Sequence, residues 1–110
     1  MSFALGAVKM SQSLGERNVR TKNYKSLLDD LGKDVAKLAK AAFRAFLKNP
    51  HDPMLDWHDL KDKHRGQHRS HSFSVSVTYR YRAIYVVDGN TNVWYWIGTH
   101  ESYNTFTGRK

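Results

Sequence analysis

Cysteine is absent from this chain of 110 residues, which excludes disulfide staples, thiolate nucleophiles and cysteine-ligated metals. A reducing compartment is consistent with that absence. No apolar run approaches the ~20 residues a helix needs to cross a bilayer. The opening stretch from Met1 to Val8 is mildly apolar, but too short and too poor in leading charge for a secretory signal, so the cytoplasm is the expected location. Proline is scarce, with only two residues, Pro50 and Pro53, which punctuate a single place. No repeat or low-complexity tract is present. Acidic residues are in deficit: 10 stand against 18 Lys and Arg, a formal charge of +8. Such an excess on one small domain favours polyanions through counterion release and steering. The plain alternatives are a basic surface that aids solubility, or one covered by an acidic protein.

What is present reads as two helices followed by strands. The first eighteen residues hold no sustained period and contain Gly15, so residues 1–18 are expected to be an extension, with a short strand near Val19–Thr21. Tyr24, Leu27, Leu28 and Leu31 then recur at helical spacing, and Gly32 supplies a left-handed cap. Val35, Leu38, Ala39, Ala42, Phe43, Phe46 and Leu47 form a second stripe, with lysines and arginines mainly on the other positions. Asn49-Pro50 ends it, because the ring disfavours helical backbone in the residue before it. Helices over Asn23–Leu31 and Lys33–Asn49 are therefore predicted. Residues 51–71 connect, with Asp56–Leu60 read as a short helical turn. From Phe73 the apolar period becomes two, and a turn near Thr78–Arg80 divides a run too long for one strand. Asp88-Gly89-Asn90 signals a hairpin, and Val93–Thr99 is the last strand before a polar tail. The fold expected is α+β, a helical hairpin packed on a small curved antiparallel sheet in the order β-α-α-β-β-β. One domain over residues 19–106 with a tail at 107–110 follows, and Val35, Leu38, Phe43, Phe46, Val75 and Ile97 should be buried together.

These residues resemble a known family. Asn49-Pro50, Leu55 with Leu60-Lys61, Ser74-Val75-Ser76-Val77, Tyr81-Arg82-Ala83-Ile84-Tyr85 and Trp96–Tyr103 together are similar, in order and spacing, to the RelE/ParE superfamily of bacterial toxin–antitoxin toxins. The resemblance implies a toxin paired with an acidic antitoxin. One branch cleaves mRNA, commonly on the ribosome, and another poisons DNA gyrase. Ile97-Gly98-Thr99-His100 with Tyr103 resembles the RNA-cleaving branch. Ser76 stands where that branch often places an arginine, and residues before about Arg17 look additional. The expected partners are thus an acidic antitoxin, mRNA and the ribosome, with no membrane, metal or small-molecule cofactor; a gyrase inhibitor or a non-catalytic binding module are the alternatives.

Metal-independent RNA cleavage needs a base for the 2′-hydroxyl, an acid for the departing 5′-oxygen and cations for the phosphate. His100 and Arg82 are the expected catalytic pair, an imidazole to move protons and a guanidinium fork that matches phosphate oxygens. The plain reading makes His100 a surface residue at a strand end and Arg82 a structural partner of a carboxylate such as Asp88. Tyr103 either stacks on a base and assists catalysis or packs the tail down. Arg80, placed on one face of the strand with Arg82, supplements the charge missing at Ser76. Lys61, Lys63, Arg65 and Arg69 are candidate phosphate contacts, or simply solvated. His64 and His68 have the spacing of a helical zinc pair, but Gly66 lies between them and no Cys or adjacent Glu completes a site. The aromatic mass of Trp94, Tyr95 and Trp96 is expected to be mostly core, with alternate members facing the helices.

Overall fold

The computed structural model describes residues 13–61 and 66–109. Most of the expected extension, and Lys63, His64 and Arg65, lie outside it. Along the chain run β1 (Arg17–Arg20), α1 (Lys22–Leu31), α2 (Lys33–Lys48), a 3₁₀ turn (Pro53–Leu55), β2 (His58–Leu60), β3 (Ser72–Thr78), β4 (Tyr81–Asp88), β5 (Thr91–Thr99) and α3 (His100–Phe106).

Local chemistry sets the helix ends. Thr21 Oγ1 accepts a hydrogen bond from the Tyr24 amide at 3.0 Å and starts α1. Gly32 joins the two helices at φ 98° and ψ 170°, a region that only glycine occupies without strain. Asn49 closes α2 in extended backbone, directly before Pro50. The hairpin therefore forms as the apolar spacing predicts.

The α+β architecture matches expectation, but the sheet is larger and not wholly antiparallel. Its order is β1-β5-β4-β3-β2, with β1 parallel to β5 and the other pairs antiparallel. β1 carries no readable period because it is an edge strand of four mostly exposed residues, held through its backbone. The segment read as a helical turn instead makes β2, which pairs with β3 from His58↔Ser74 to Leu60↔Ser72. The expected polar tail is a helix. Thr99 caps α3 by accepting from the Ser102 amide at 3.0 Å, and Tyr103 and Phe106 turn inward one helical turn apart.

Two apolar clusters sandwich the sheet. Tyr24, Ala39, Phe46, Phe73, Val75, Tyr85, Trp94 and Ile97 pack between sheet and hairpin, while Leu60, Ile84, Val86, Tyr95, Trp96 and Tyr103 pack under α3. A register shift in β5 places both Tyr95 and Trp96 on the α3 side, since Ile84 pairs with Trp96 and Tyr85 with Trp94. Strict alternation is broken there, so only Trp94 of the three faces the hairpin. Val35, Phe46, Val75 and Ile97 are buried as expected, but Leu38 is 43% and Phe43 36% exposed. The buried line of α2 is the narrower Val35, Ala39, Phe46, and Phe43 sits at its margin, edge-on to Trp94. Among the described residues no helix is long and apolar enough to cross a membrane.

Candidate active site

On the α3 side of the sheet, Asp56, His58, Arg82, His100, Tyr103, Asn104 and Arg109 line an open polar cleft of about 380 Å³. Three elements build it. Asp56, in left-handed backbone at φ 47°, turns the chain out of the 3₁₀ helix and into β2, whose first residue is His58. Leu60, two residues on, is buried beneath α3, so the strand alternation puts His58 on the same face. β4 contributes Arg82, and the β5–α3 junction contributes His100.

Arg82 is the buried centre, only 4% exposed. Its Nη1 donates to Asp56 Oδ2 at 3.1 Å. Its Nη2 donates to the Asp56 carbonyl at 2.7 Å and to Ser74 Oγ at 2.9 Å, and lies 3.3 Å from His58 Nδ1. The guanidinium also sits 5.0 Å from the centroid of the Tyr103 ring, a cation–π contact. Its partner carboxylate is Asp56, not Asp88. The fork is thus largely spent on the protein, and it fixes the chain around His58 instead of lying open in the cleft.

The histidines differ in hydrogen bonding. His58 Nδ1 is 2.9 Å from the Asp56 carbonyl oxygen, which only accepts, and 3.3 Å from Arg82 Nη2, which only donates; the shorter contact favours the proton on Nδ1. His100 Nδ1 is 3.4 Å from the Asn104 side-chain amide, at the long edge of hydrogen bonding. Two imidazoles on one cleft are suited to taking and giving a proton. Both stay accessible: His58 is half-buried and His100 exposed.

Tyr103 is 2% exposed. Its hydroxyl shares a hydrogen bond with Ser74 Oγ at 3.0 Å and accepts from Arg109 Nη1 at 3.3 Å. Of the two readings open for Tyr103, packing accounts for its position, and its ring forms the wall between Arg82 and His100. Arg109 is exposed and lines the cleft, and beyond the Nη1 bond to Tyr103 its guanidinium has no side-chain partner among the described residues.

The structure therefore brings together His100, Arg82 and Tyr103 from among the expected residues. Arg80 does not share the Arg82 face; it lies in the turn between β3 and β4, and its carbonyl accepts from the His100 amide at 2.7 Å. Lys61 and Arg69 do not line the cleft. Lys61 is exposed just past β2, and the Arg69 guanidinium lies 5.3 Å over the Tyr95 ring. Ser76 donates to the Thr78 carbonyl at 2.7 Å, within its own strand end. Lys63 and Arg65 fall outside the described residues. Sequence reasoning missed Asp56, His58, Asn104 and Arg109. The signal for His58 was its two-residue spacing from Leu60; for Asn104 it was the four-residue spacing from His100 behind a threonine cap.

Residues 33–105 match the family described as ParE-like toxin domain. No curated protein matches the chain. A copper-bound mutant toxin from Helicobacter pylori has the same fold at a TM-score of 0.57 and 20% identity, covering 78% of this chain and 96% of that one. A conserved hypothetical protein from the same organism, solved in solution, gives 0.52 and 20%, over 77% and 94% of the two chains.

Proposed function

Since this chain belongs to the ParE-like toxin domain family, within the RelE/ParE superfamily of toxins, we propose that it is the toxin of a toxin–antitoxin pair that cleaves mRNA without a metal. The observation that carries this reading is the pairing of His58 and His100 on one cleft that also holds Arg109. His58 Nε2 takes the proton of a ribose 2′-hydroxyl as its oxygen attacks the adjoining phosphorus. The bond from phosphorus to the 5′-oxygen breaks, and His100, in its imidazolium form, delivers a proton to that leaving oxygen and is left neutral. The products are a 2′,3′-cyclic phosphate and a 5′-hydroxyl. Arg109 stabilises charge building on the phosphate. Arg82 holds His58 in place through Asp56, and Tyr103 spaces the two sides of the cleft. Ribosome-bound mRNA is the proposed substrate, and an acidic antitoxin the proposed inhibitor of a chain carrying +8.

A second reading has the family description behind it: a ParE-like chain that blocks gyrase by protein contact needs no acid–base pair. One experiment separates them. Purified wild type, His58→Gln and His100→Gln are assayed for transcript cleavage in EDTA, with and without ribosomes, beside a gyrase supercoiling assay. Each substitution should lower cleavage by roughly 10²–10⁴ while leaving the thermal midpoint nearly unchanged, because both rings are solvent-accessible. Full cleavage by both variants rejects the histidine pair as the catalytic groups, and supercoiling inhibition by a wild type that cuts nothing rejects the nuclease.

A further inference from the structure

The turn between β3 and β4 presents Tyr79 at 80% exposure. Lone exposed aromatics are ordinary, but three features set this one apart. The neighbouring Arg80 guanidinium is held beside the ring, with Nε donating to the Tyr79 hydroxyl at 3.0 Å and its carbon 5.5 Å from the ring centroid. The two terminal nitrogens of Arg80 have no partner among the described residues. Finally, the turn is stiff and tied to the cleft. Ser76 Oγ donates to the Thr78 carbonyl at 2.7 Å, the Arg80 amide donates to Thr78 Oγ1 at 3.1 Å, and the Arg80 carbonyl accepts from the His100 amide at 2.7 Å. Tyr81, two residues past Tyr79, pairs with Thr99 immediately before His100.

We infer that Tyr79 and Arg80 form a subsite for single-stranded RNA next to the scissile bond, Tyr79 stacking on a nucleobase and Arg80 gripping the adjoining phosphate. This inference rests on the nuclease reading. A flat ring reads any base by its π face, so the subsite anchors unpaired RNA without selecting sequence. The prior bond from Arg80 Nε to the phenol orients the fork, so little side-chain freedom is lost when its terminal nitrogens meet a phosphate. It also offers a cation near the cleft while Arg82 is occupied by Asp56.

The test is fluorescence anisotropy with a short fluorescein-labelled single-stranded RNA of mixed sequence, on the His100→Gln background so that the probe survives. Tyr79→Ala should weaken binding roughly 5- to 150-fold, whereas Tyr79→Trp should bind within about twofold of the parent, since it keeps the stacking face. Arg80→Ala should reduce the slope of log affinity against log salt by about 0.7. With His100 restored, Tyr79→Ala should raise KM and leave the rate at saturating RNA unchanged. Cleavage by Tyr79→Ala with unaltered RNA affinity and KM overturns the inference and leaves the nuclease standing. Loss of antitoxin binding by Tyr79→Ala, with RNA affinity intact, makes the tip a protein contact and also overturns it. A wild type that neither binds nor cleaves RNA removes both proposals together.

Discussion

The ion pair of Asp56 and Arg82 is lopsided: the arginine side chain is 5% exposed and the carboxylate 60%. Removing either member therefore has different consequences. Asp56→Asn keeps the shape, the left-handed backbone that asparagine tolerates, and a neutral acceptor for Arg82 Nη1. It nevertheless strands a buried cation without its counter-charge. A pair this close is worth roughly 1–4 kcal/mol between water-like and surface-like screening. Since a hydrogen bond survives, the net loss should be roughly 1–3 kcal/mol. Arg82→Met removes the buried charge itself. Asp56 then turns to water, Ser74 Oγ keeps Tyr103 as a partner, and the desolvation cost of the guanidinium, several kcal/mol, is recovered. That variant should lie within about 1 kcal/mol of the parent, and adding Asp56→Asn to it should cost almost nothing more. Urea unfolding monitored by tryptophan fluorescence measures all four proteins. At about 1–3 kcal/mol per molar urea, a loss of ~2 kcal/mol lowers the midpoint by about 1 M. Arg82→Met unfolding several kcal/mol more easily while Asp56→Asn stays neutral would refute the argument from unequal burial.

Alkaline stability rests on buried phenols. Burial pushes Tyr85 up to about 12, with the Trp57 hydrogen bond pulling the other way, and burial raises Tyr24 and Tyr95 in the same direction. A phenol whose folded pKa exceeds its unfolded value near 10 stabilises fully below about pH 10 and loses that contribution as pH climbs through about 12. Two units correspond to about 3 kcal/mol, and Tyr85→Phe should flatten that part of a stability-versus-pH curve. The same variant leaves Trp57 Nε1 and the Ser13 carbonyl without their partner, so near neutrality it should be less stable by about 1–3 kcal/mol. Gly32→Ala should cost about 1–3 kcal/mol in chemical unfolding for backbone reasons alone, because nothing lies within 4 Å of the added carbon. Phe46→Ala should cost about 3–5 kcal/mol and Phe43→Ala roughly 1–2; equal losses would mean that both rings share one degree of burial.

The helical hairpin, the change of period and the two β-hairpins were legible in the sequence because each follows from neighbours in the chain. Leu27, Leu28 and Leu31 recur at helix spacing, Gly32 and Asn49-Pro50 stop helices by local sterics, and Asp88-Gly89-Asn90 turns a strand wherever it stands. The family resemblance and the place of His100 at the end of the last strand were legible for the same reason. The parallel pairing of β1 with β5 was not, since an edge strand without an apolar face has only backbone hydrogen bonds to declare it. Nor was the bulge at Tyr95, which moves an aromatic across the sheet without altering its neighbours in sequence. The cleft is the clearest case. Asp56 and His58 sit more than twenty residues from Arg82 and more than forty from His100, and only the pairing of β2 with β3 and the docking of α3 place them around one space. Sequence supplied an arginine with a phosphate-shaped fork. Burial decided its use, because a guanidinium taken out of water spends its terminal nitrogens on fixed partners, and here Asp56 and Ser74 tie it beside His58 instead of leaving it open to the cleft.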